Sequence, residues 1–467
     1  MEVTLIGWVV IALAIYAFIK EEKYLLYLAV FFSTFTATSI INIEKSITGI
    51  APFYFLAGLW ILRVVINYYK DKVTLRTLIK ENKKNKLIRG LFIFFVVVIL
   101  GELFRFIARN PINFMELNNN LKMTIEFSSS NITQPIYLLF MVIFSMLLCV
   151  RLKNKEEIKK IVKIFIASTI FALIWGLAQF CMYYLGVEYP ANLFNNNISG
   201  LQLHFQMVYG IKRVNSIALE PSTFALNILQ LLPLILTLWL ANVKIAKTKR
   251  KSEIIMVTII ILALMVAVLT TSSTAYVGIT LIVVILTIYI LFFSVKGKEL
   301  HNNKKRVIIF YLIGIVSLVI VMLLAIRVFD IYWGTLWDAF KDMTINKTKL
   351  DSGKERANAV QMAFEIFKQA PMVGAGWGSF RSLDMLTNLL ANTGILGVIS
   401  FFYIIYTCIK RTILYKEYNE IMAVGLGLMI IIPTIALSIS IPDLVFGYYW
   451  IGIVVAYNYC DITEEVE

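Results

Sequence analysis

The chain has 467 residues, of which 59% are hydrophobic and only 16% are charged, and it carries a net charge of +15. A soluble fold of this length could not bury so much apolar surface, so the composition excludes cytosolic and nuclear proteins and predicts an integral membrane protein. The positive charge is typical of a multi-span protein with basic cytoplasmic loops, so we predict no nucleic-acid partner.

Thirteen apolar stretches are long enough to cross the roughly 30 Å hydrocarbon core as helices. They cover residues 3–19, 24–42, 50–69, 90–107, 134–150, 162–185, 222–241, 254–270, 275–294, 307–327, 390–409, 421–438 and 443–460. If the first stretch lies in the interface instead, twelve spans remain. We therefore predict an all-α, polytopic transmembrane bundle of 12–13 spans, with residues 1–467 forming a single membrane domain.

Basic residues collect on one side of this predicted bundle. Of the 44 Lys and Arg residues, 29 fall in the connections 20–23, 70–89, 151–163, 244–251, 296–306 and 410–416. The positive-inside rule places these connections in the cytoplasm. Three long connections, 108–133, 186–221 and 328–389, then face outward. A connection as long as 328–389 usually carries function.

The loop 328–389 is predicted to be partly helical. Its beginning, 329–343, has apolar residues at helical spacing, which is typical of a helix that lies on the outer leaflet. A second helix is expected over 354–369, and it should end before Pro371.

Ionisable residues within spans are candidate functional residues because burying charge in a membrane is costly. Glu102 and Arg105 lie three residues apart on one face of a predicted helix. They either serve a site or neutralise each other.

The clearest outward-facing basic group lies in the segment IKRVNSIALEPST, just before a predicted span. Lys212 and Arg213 are candidate substrate-binding residues, since the planar guanidinium of arginine binds phosphate oxygens in a bidentate way. Glu220 is a candidate base or the residue that orients Arg213. The alternative is an Arg213–Glu220 ion pair at the interface, with Ser222 and Thr223 capping the next helix.

Two further features lie at the outer ends of spans. The short turn LTTSSTAYVGI at 269–279 has hydroxyl groups that either bind a sugar or close the turn. Arg327 ends a span and is a candidate to bind substrate together with the other outward arginines. His204, in the loop 186–221, is expected to be a packed or solvated residue rather than a catalytic one.

The segment GKERANAVQMAFEIFKQAPMVGAGWGSF combines a helix with a glycine-rich turn. Arg356 lies at the beginning of the helix, and Gly374, Gly376 and Gly378 follow it. No strand precedes these glycines, so they do not predict a nucleotide site. We expect Gly374 and Gly376 to let the backbone turn sharply and approach the membrane or a lipid phosphate.

The stretch from Asp384 to Gly397 leads into the next span. Asn388, Asn392 and Thr393 are polar residues near the beginning of this helix, and they are typical of packing between helices. The chain has two histidines and no paired acidic motif, so we predict no metal site and no cofactor.

These segments, in this order, resemble the O-antigen polymerase/ligase superfamily of Wzy-type polymerases and lipid A–core ligases. RVNSIALEPSTFA is similar to the family's Arg and Glu-Pro segment, and LTTSSTAYVGI to its hydroxyl-rich turn. RANAVQMAFEIFKQAPMVGAGWGSF followed by LLANTGILGVISFF resembles the family's most diagnostic part. The resemblance covers residues 210–405.

The resemblance implies a GT-C-like glycosyltransferase of the bacterial inner membrane that uses no metal and whose active site faces the periplasm. Its donor and acceptor would be oligosaccharides linked to undecaprenyl pyrophosphate, and a chain-length regulator protein would be a partner. Transferred motif by motif, Arg213 and Arg356 bind the donor pyrophosphate, and Glu220 orients or deprotonates the acceptor hydroxyl.

One departure from the family separates its two activities. Ligases carry a His-Asn pair before the Gly-Ile-Leu-Gly motif, and this chain has Leu383 and Asp384 there. The missing histidine favours a polymerase for O-antigen or capsule over a ligase and makes Asp384 a second candidate base. A peptidoglycan polymerase of the shape–elongation–division family and, from another class, a lipid-linked oligosaccharide flippase are the alternatives.

Overall fold

The structure is a computed structural model, and it describes most of the chain. The described residues are 1–46, 48–107, 111–116, 121–199, 204–208, 210–289, 351–415 and 420–464, with scattered positions between 308 and 346. Arg327, the predicted span 307–327 and most of the predicted helix 329–343 therefore lie outside the described residues.

Helices dominate the described part of the chain. They are α1 (Leu5–Lys20), α2 (Glu22–Phe32), α3 (Pro52–Lys70), α4 (Leu75–Asn82), α5 (Lys86–Ile107), α6 (Ser130–Arg151), α7 (Lys155–Tyr184), α8 (Ala191–Phe194), α9 (Pro221–Leu240), α10 (Lys249–Leu269), α11 (Ser273–Ile288), α12 (Asp351–Gln369), α13 (Met385–Tyr415), α14 (Glu420–Ser440) and α15 (Gly447–Glu464). Within the described residues, seven helices are long and apolar enough to cross a membrane, and α1 and α11 are shorter apolar helices. The chain is thus a multi-pass helical membrane protein.

The strands are short and form three small sheets, in one of which β1 near the N-terminus pairs with β2. They are β1 (Glu2–Val3), β2 (Ile41–Ile43), β3 (Thr48–Ile50), β4 (Asn113–Glu116), β5 (Leu121–Thr124), β6 (Met207–Val208) and β7 (Ile211–Lys212). All pairs are antiparallel, with Asn42 opposite Gly49, Phe114 opposite Met123, and Met207 opposite Lys212. Each small sheet lies in a connection and not in a span, so the predicted all-α class holds.

The predicted span 24–42 is wrong, because its helix, α2, ends at Phe32. The residues that follow are rich in hydroxyl groups, which bind backbone and side chains in place of a continued helix. The Ser33 hydroxyl donates to the Val30 carbonyl (2.7 Å), and the Thr38 hydroxyl donates to the Phe194 carbonyl (2.7 Å). The chain then enters β2 and pairs with β3.

The contacts divide the chain into two compact units. The first consists of Met1–Trp60, Lys160–Thr344 and Tyr415–Pro433, and the second of Ile61–Lys159, Ile345–Leu414 and Thr434–Glu467. Each is described by itself below. The expectation of a single membrane domain stays a prediction.

The first unit is built around α9, which is buried along its apolar length. A helix that is hydrophobic all round needs neighbours on every side, and α10 and α11 supply two of them. Close approach depends on small residues. A Cβ at Gly278 of α11 would lie 2.4 Å from a Leu229 methyl carbon, and one at Gly425 would lie 2.0 Å from the Thr237 hydroxyl.

The second unit packs α6 against α5 and α15. Asn458 of α15 caps the end of α6, because its side-chain amide donates to the carbonyls of Cys149 and Leu152, at 2.9 Å each. These carbonyls belong to the last turn of a helix, where intrahelical partners run out. α12 packs against β4 and lies within 328–389, so this long connection is partly helical, as predicted.

Candidate functional site

Arg213 immediately follows the β6–β7 hairpin in the first unit. The hairpin turns at Gly210, whose φ of +73° favours glycine. The Arg213 amide donates to the Gln206 carbonyl (3.1 Å), and the Val214 amide donates to the Leu269 carbonyl (3.1 Å). Two of the segments singled out in the sequence, RVNSIALEPST and LTTSSTAYVGI, are thus joined through their backbones.

The guanidinium of Arg213 is fixed by one side chain of the hydroxyl-rich turn and one that precedes the β6–β7 hairpin. Its Nε donates to the Thr271 hydroxyl (3.1 Å), and its Nη1 donates to the side-chain carbonyl of Gln206 (3.2 Å). Burial lowers the pKa of Arg213 below its usual range, whereas the negative charge of Glu220 raises it. The result is a half-buried cation held in one orientation, which suits the binding of an anionic group.

The hydroxyl-rich turn between α10 and α11 is held in an unfavourable backbone conformation. Thr271 has a φ of +45°, which is rare for a β-branched residue and costs roughly 1–3 kcal/mol. Ser216, in the Arg213 segment, has a φ of +53°. Its amide and hydroxyl form hydrogen bonds to Gln179 (2.9 Å) and to the Ala172 carbonyl (2.6 Å). Strained residues cluster at functional sites in proteins, and here one of them, Thr271, binds Arg213 directly.

Glu220 is exposed and occupies the N-cap position of α9. Its amide donates to the Thr223 hydroxyl (3.0 Å), and its carboxylate accepts a hydrogen bond from the Ser222 hydroxyl (3.0 Å). The geometry therefore includes the capping interactions that the sequence suggested for Ser222 and Thr223. An exposed carboxylate at this position also remains accessible to an acceptor hydroxyl.

Lys212 is turned into the protein, with only 4% of its surface exposed. Its ammonium donates to the His204 carbonyl, and its amide donates to the Tyr184 hydroxyl (3.1 Å). Burial, aided by the charge of Arg213, lowers the pKa of Lys212 to about 8. These contacts anchor the hairpin, and a role of Lys212 in substrate binding stays a prediction.

The lowered pKa of Lys212 predicts a pH-dependent stability. The unfolded lysine, with a pKa near 10.5, holds its proton between about pH 8 and pH 10.5, whereas the folded one releases it. Because the unfolded state then binds more protons, stability rises with pH across this window. We expect the thermal midpoint of the wild type to rise relative to that of Lys212→Met, which lacks the titrating group. Parallel midpoints for the two proteins across the window, measured in detergent, would contradict the prediction.

Arg356 belongs to the first turns of α12 in the second unit. Its Nη1 donates to the Ser440 carbonyl (3.2 Å) and the Leu383 carbonyl (3.4 Å). Ser440 is the last residue of α14, where carbonyl groups lack intrahelical partners. Arg356 therefore connects α12, the segment before α13 and the end of α14. A guanidinium has five N–H donors, so this anchoring is compatible with further bonds to a phosphate.

The glycine-rich turn after α12 packs against a break in α13. At Gly394 the helix is interrupted, with φ +61° and ψ −165°. The amide of Ala375 donates to the Ala391 carbonyl (2.8 Å), and the amide of Ile395 donates to the Pro371 carbonyl (2.9 Å). Backbone groups released by the break thus find partners in the turn, which is required at membrane depth, where water is scarce.

Glycine is required on both sides of this contact. A Cβ at Gly374, which has a φ of +72°, would lie 2.2 Å from the backbone carbon of Asn392. A Cβ at Gly394 would lie 2.5 Å from the carbonyl group of Met372. The observed close neighbour of Gly374 is α13, and contact of Gly374 or Gly376 with a lipid phosphate stays a prediction.

Asp384 is buried and forms the N-terminal cap of α13. One carboxylate oxygen accepts the Thr387 amide (2.8 Å), and the other accepts the Thr387 hydroxyl (2.6 Å). Asn388 accepts the Ser382 amide (3.1 Å) and donates to the Pro442 carbonyl (3.3 Å). These bonds give Asp384 a structural role at the beginning of α13. Because Asp384 is buried and Glu220 is exposed, Glu220 is the more accessible of the two candidate bases.

Glu102 and Arg105 both lie against the glycine-rich turn of the second unit. Arg105 donates to the carbonyls of Ile125 (2.8 Å) and Ala375 (3.2 Å). Glu102 is buried beneath the glycine-rich turn, where a Cβ at Gly376 would lie 3.0 Å from its Oε2. Both residues thus support the turn from below, a role that their spacing in the sequence did not indicate.

Substituting Gly376 tests this packing. We expect Gly376→Ala to lower stability by roughly 1–3 kcal/mol, because its φ of +97° is strained for alanine and the new methyl group meets Glu102. Glu102→Ala removes the carboxylate that the new methyl group would meet, but it leaves the backbone strain at position 376 unchanged. The double variant should therefore lose less stability than the sum of the two single variants. Additive losses in thermal midpoint would show that the two residues do not interact.

Sequence reasoning missed Gln206, which helps to orient Arg213. Gln206 lies seven positions before Arg213, a separation that becomes a contact only through the β6–β7 hairpin, and Gly210 was its one local signal. Asn392 binds the Phe380 backbone through its amide (2.7 Å) and its side-chain carbonyl (3.0 Å).

Within the described residues, no three His, Cys, Asp or Glu side chains gather as a metal site would require.

Comparison with known proteins agrees with these motifs. Residues 258–402 match the Wzy_C family model, described as O-antigen ligase. The match includes the hydroxyl-rich turn, Arg356, the glycine-rich turn and the first part of α13 with its break at Gly394. No curated protein matches the chain. The match over residues 258–402 supports the assignment of this chain to the O-antigen polymerase/ligase superfamily, whose members are glycosyltransferase-like enzymes.

Proposed function

We propose that the protein is a polymerase that joins oligosaccharide repeat units linked to undecaprenyl pyrophosphate, at the outer face of the bacterial inner membrane. The observation that carries this proposal is the family match at residues 258–402, which contains Arg356 and its supporting turn. The oriented guanidinium of Arg213 adds a second cation on a segment that the resemblance also singles out.

In the proposed reaction, a hydroxyl oxygen of the acceptor sugar attacks the anomeric carbon of the donor glycan. The bond between that carbon and the pyrophosphate oxygen breaks, and its electron pair leaves with undecaprenyl pyrophosphate. Arg213 and Arg356 offset the negative charge that develops on this leaving group. Glu220 takes the proton of the attacking hydroxyl.

The hydrogen bonds of Arg213 support its role in this reaction. Preorganised donors stabilise a transition state without reorganising during the step. Thr271 and Gln206 hold the Arg213 fork before substrate arrives. Glu220 lies seven residues after Arg213, and its negative charge raises the pKa of Arg213.

The region that distinguishes polymerases from ligases favours a polymerase here. Leu383 and Asp384 replace the ligase His-Asn pair. The Leu383 carbonyl accepts a hydrogen bond from Arg356, and Asp384 caps α13 through Thr387. Neither residue supplies the imidazole that a ligase carries at this point.

The test is to incubate the purified protein in vesicles with synthetic lipid-linked repeat units, without nucleotide or added metal. A polymerase produces a ladder of products that differ by one repeat unit. A ligase produces no ladder and instead glycosylates added lipid A–core. A flippase moves a fluorescent repeat unit across the vesicle membrane without lengthening it. Absence of a ladder under conditions that support either other activity would overturn the proposal.

A further inference from the structure

A basic cavity lies in the second unit, where α5 begins and α13 ends. Its volume is about 230 Å³. It is lined by Lys84, Lys86, Tyr403, Tyr406, Thr407, Lys410, Arg411, Leu414 and Tyr457. The four cations belong to connections that the positive-inside rule places in the cytoplasm. The cavity is therefore on the side opposite to the outward loops and is separate from the proposed reaction.

The chemistry of the lining fits a phosphate group. Four cationic side chains converge, and none of the nine residues that line this described cavity is acidic. Two of the cations lie against aromatic rings. The Arg411 guanidinium is 5.6 Å from the centre of the Tyr457 ring, and the Lys410 ammonium is 5.9 Å from that of Tyr406. Ring contacts of this kind orient cationic side chains at a pocket, and ammonium and guanidinium groups bind phosphate oxygens through charge-assisted hydrogen bonds.

The size of the cavity limits the ligand. Pockets that enclose drug-sized ligands measure roughly 300–1,000 Å³, and this cavity is smaller. It accommodates a phosphate with its nearest substituent, but not an oligosaccharide repeat unit.

An apolar stripe leads from the cavity along α13. Tyr406 lines the cavity, and Phe402, Ile399 and Ile395 follow it at helical spacing, all of them exposed. A helix face of this kind inside a membrane lies against acyl chains. The stripe therefore provides a path for the tail of a molecule whose phosphate occupies the cavity, and a free phosphate ion would make no use of it.

We propose that this cavity binds the phosphate of an anionic phospholipid in the cytoplasmic leaflet, with an acyl chain along the stripe on α13. Basic pockets between transmembrane helices recognise anionic lipid headgroups through such charge clusters. Binding here anchors the beginning of α5 to the end of α13, two helices that already approach closely where Gly90 meets Tyr403.

The test compares two variants of equal charge. Lys84→Gln with Lys410→Gln removes two exposed cations of the cavity. Lys249→Gln with Arg250→Gln removes two exposed cations at the beginning of α10, which are not part of the cavity lining. Each protein is titrated in detergent with phosphatidylglycerol, and bound lipid is counted by native mass spectrometry. Thermal midpoints establish that both variants are folded.

We expect the cavity variant to bind phosphatidylglycerol about thirtyfold more weakly than the wild type, since the two removed cations each contribute roughly 1 kcal/mol to anionic lipid binding and about 1.4 kcal/mol corresponds to tenfold. The control variant should match the wild type, and phosphatidylcholine should bind weakly to all three. Equal losses in both variants would overturn the proposal, since binding would then follow overall charge. Displacement of the lipid by inorganic phosphate at similar concentrations would also overturn it, because the site would then recognise free phosphate.

Discussion

Arg213→Ala is expected to reduce the rate of polymer formation by about 10²–10³-fold, which is typical for the loss of one preorganised donor to a transition state. Arg213→Lys should recover little of this loss, because lysine keeps the charge but lacks the fork that binds Thr271 and Gln206. The measurement is the initial rate of ladder formation from synthetic lipid-linked repeat units.

Arg381→Ala provides a matched control for this prediction. Arg381 is also an arginine and lies in the connection 328–389, but it is exposed and forms an ion pair with Asp443 at 2.8 Å. We expect its removal to change the rate by less than about threefold, since exposed ion pairs contribute little. Similar rates for Arg213→Ala and Arg381→Ala would contradict the assignment of Arg213.

Arg356→Ala should show a comparable loss of rate, and the double variant tests whether the two arginines act in one step. Residues that stabilise the same transition state are strongly non-additive, so the double variant should be little slower than the slower single variant. Multiplication of the two losses would indicate that Arg213 and Arg356 serve different steps, and the proposed shared pyrophosphate would then be wrong.

The second large effect is expected at the contact between the glycine-rich turn and α13. Gly394→Ala and Gly374→Ala should each lower stability by at least about 3 kcal/mol, since the new methyl group meets backbone and the positive φ adds strain. Backbone atoms cannot move aside as a flexible side chain can. The measurement is the thermal midpoint in detergent, together with the yield of folded protein.

Two other glycines distinguish the cost of a positive φ from the cost of a steric clash at Cβ. Gly186 and Gly210 have φ values of +69° and +73°, close to those at the contact, but nothing lies within 4 Å of a Cβ built on either. Alanine at these positions should cost only the conformational penalty of roughly 1–2 kcal/mol. Equal losses at all four glycines would show that φ alone is responsible and that the turn does not brace the break in α13.

The sequence by itself determined the features that depend on local composition and periodicity. Long apolar runs dictated a helical membrane protein, since only such helices satisfy their own backbone in lipid. The helix before Pro371 was predicted at 354–369 and observed at Asp351–Gln369, since Pro371 has no backbone N–H with which to continue the helix. Motif order alone indicated the superfamily that the match at residues 258–402 supports.

Only the tertiary structure decided how the motif residues are held. Apolar content predicted a span at 24–42, but α2 ends at Phe32 because hydroxyl groups after it bind distant segments such as Phe194. The bond from Arg213 to Thr271 joins residues far apart in the chain, and Glu102 meets Gly376 in the same way. Such contacts arise when helices pack, and packing depends on which surfaces meet, a property that no single stretch of sequence carries.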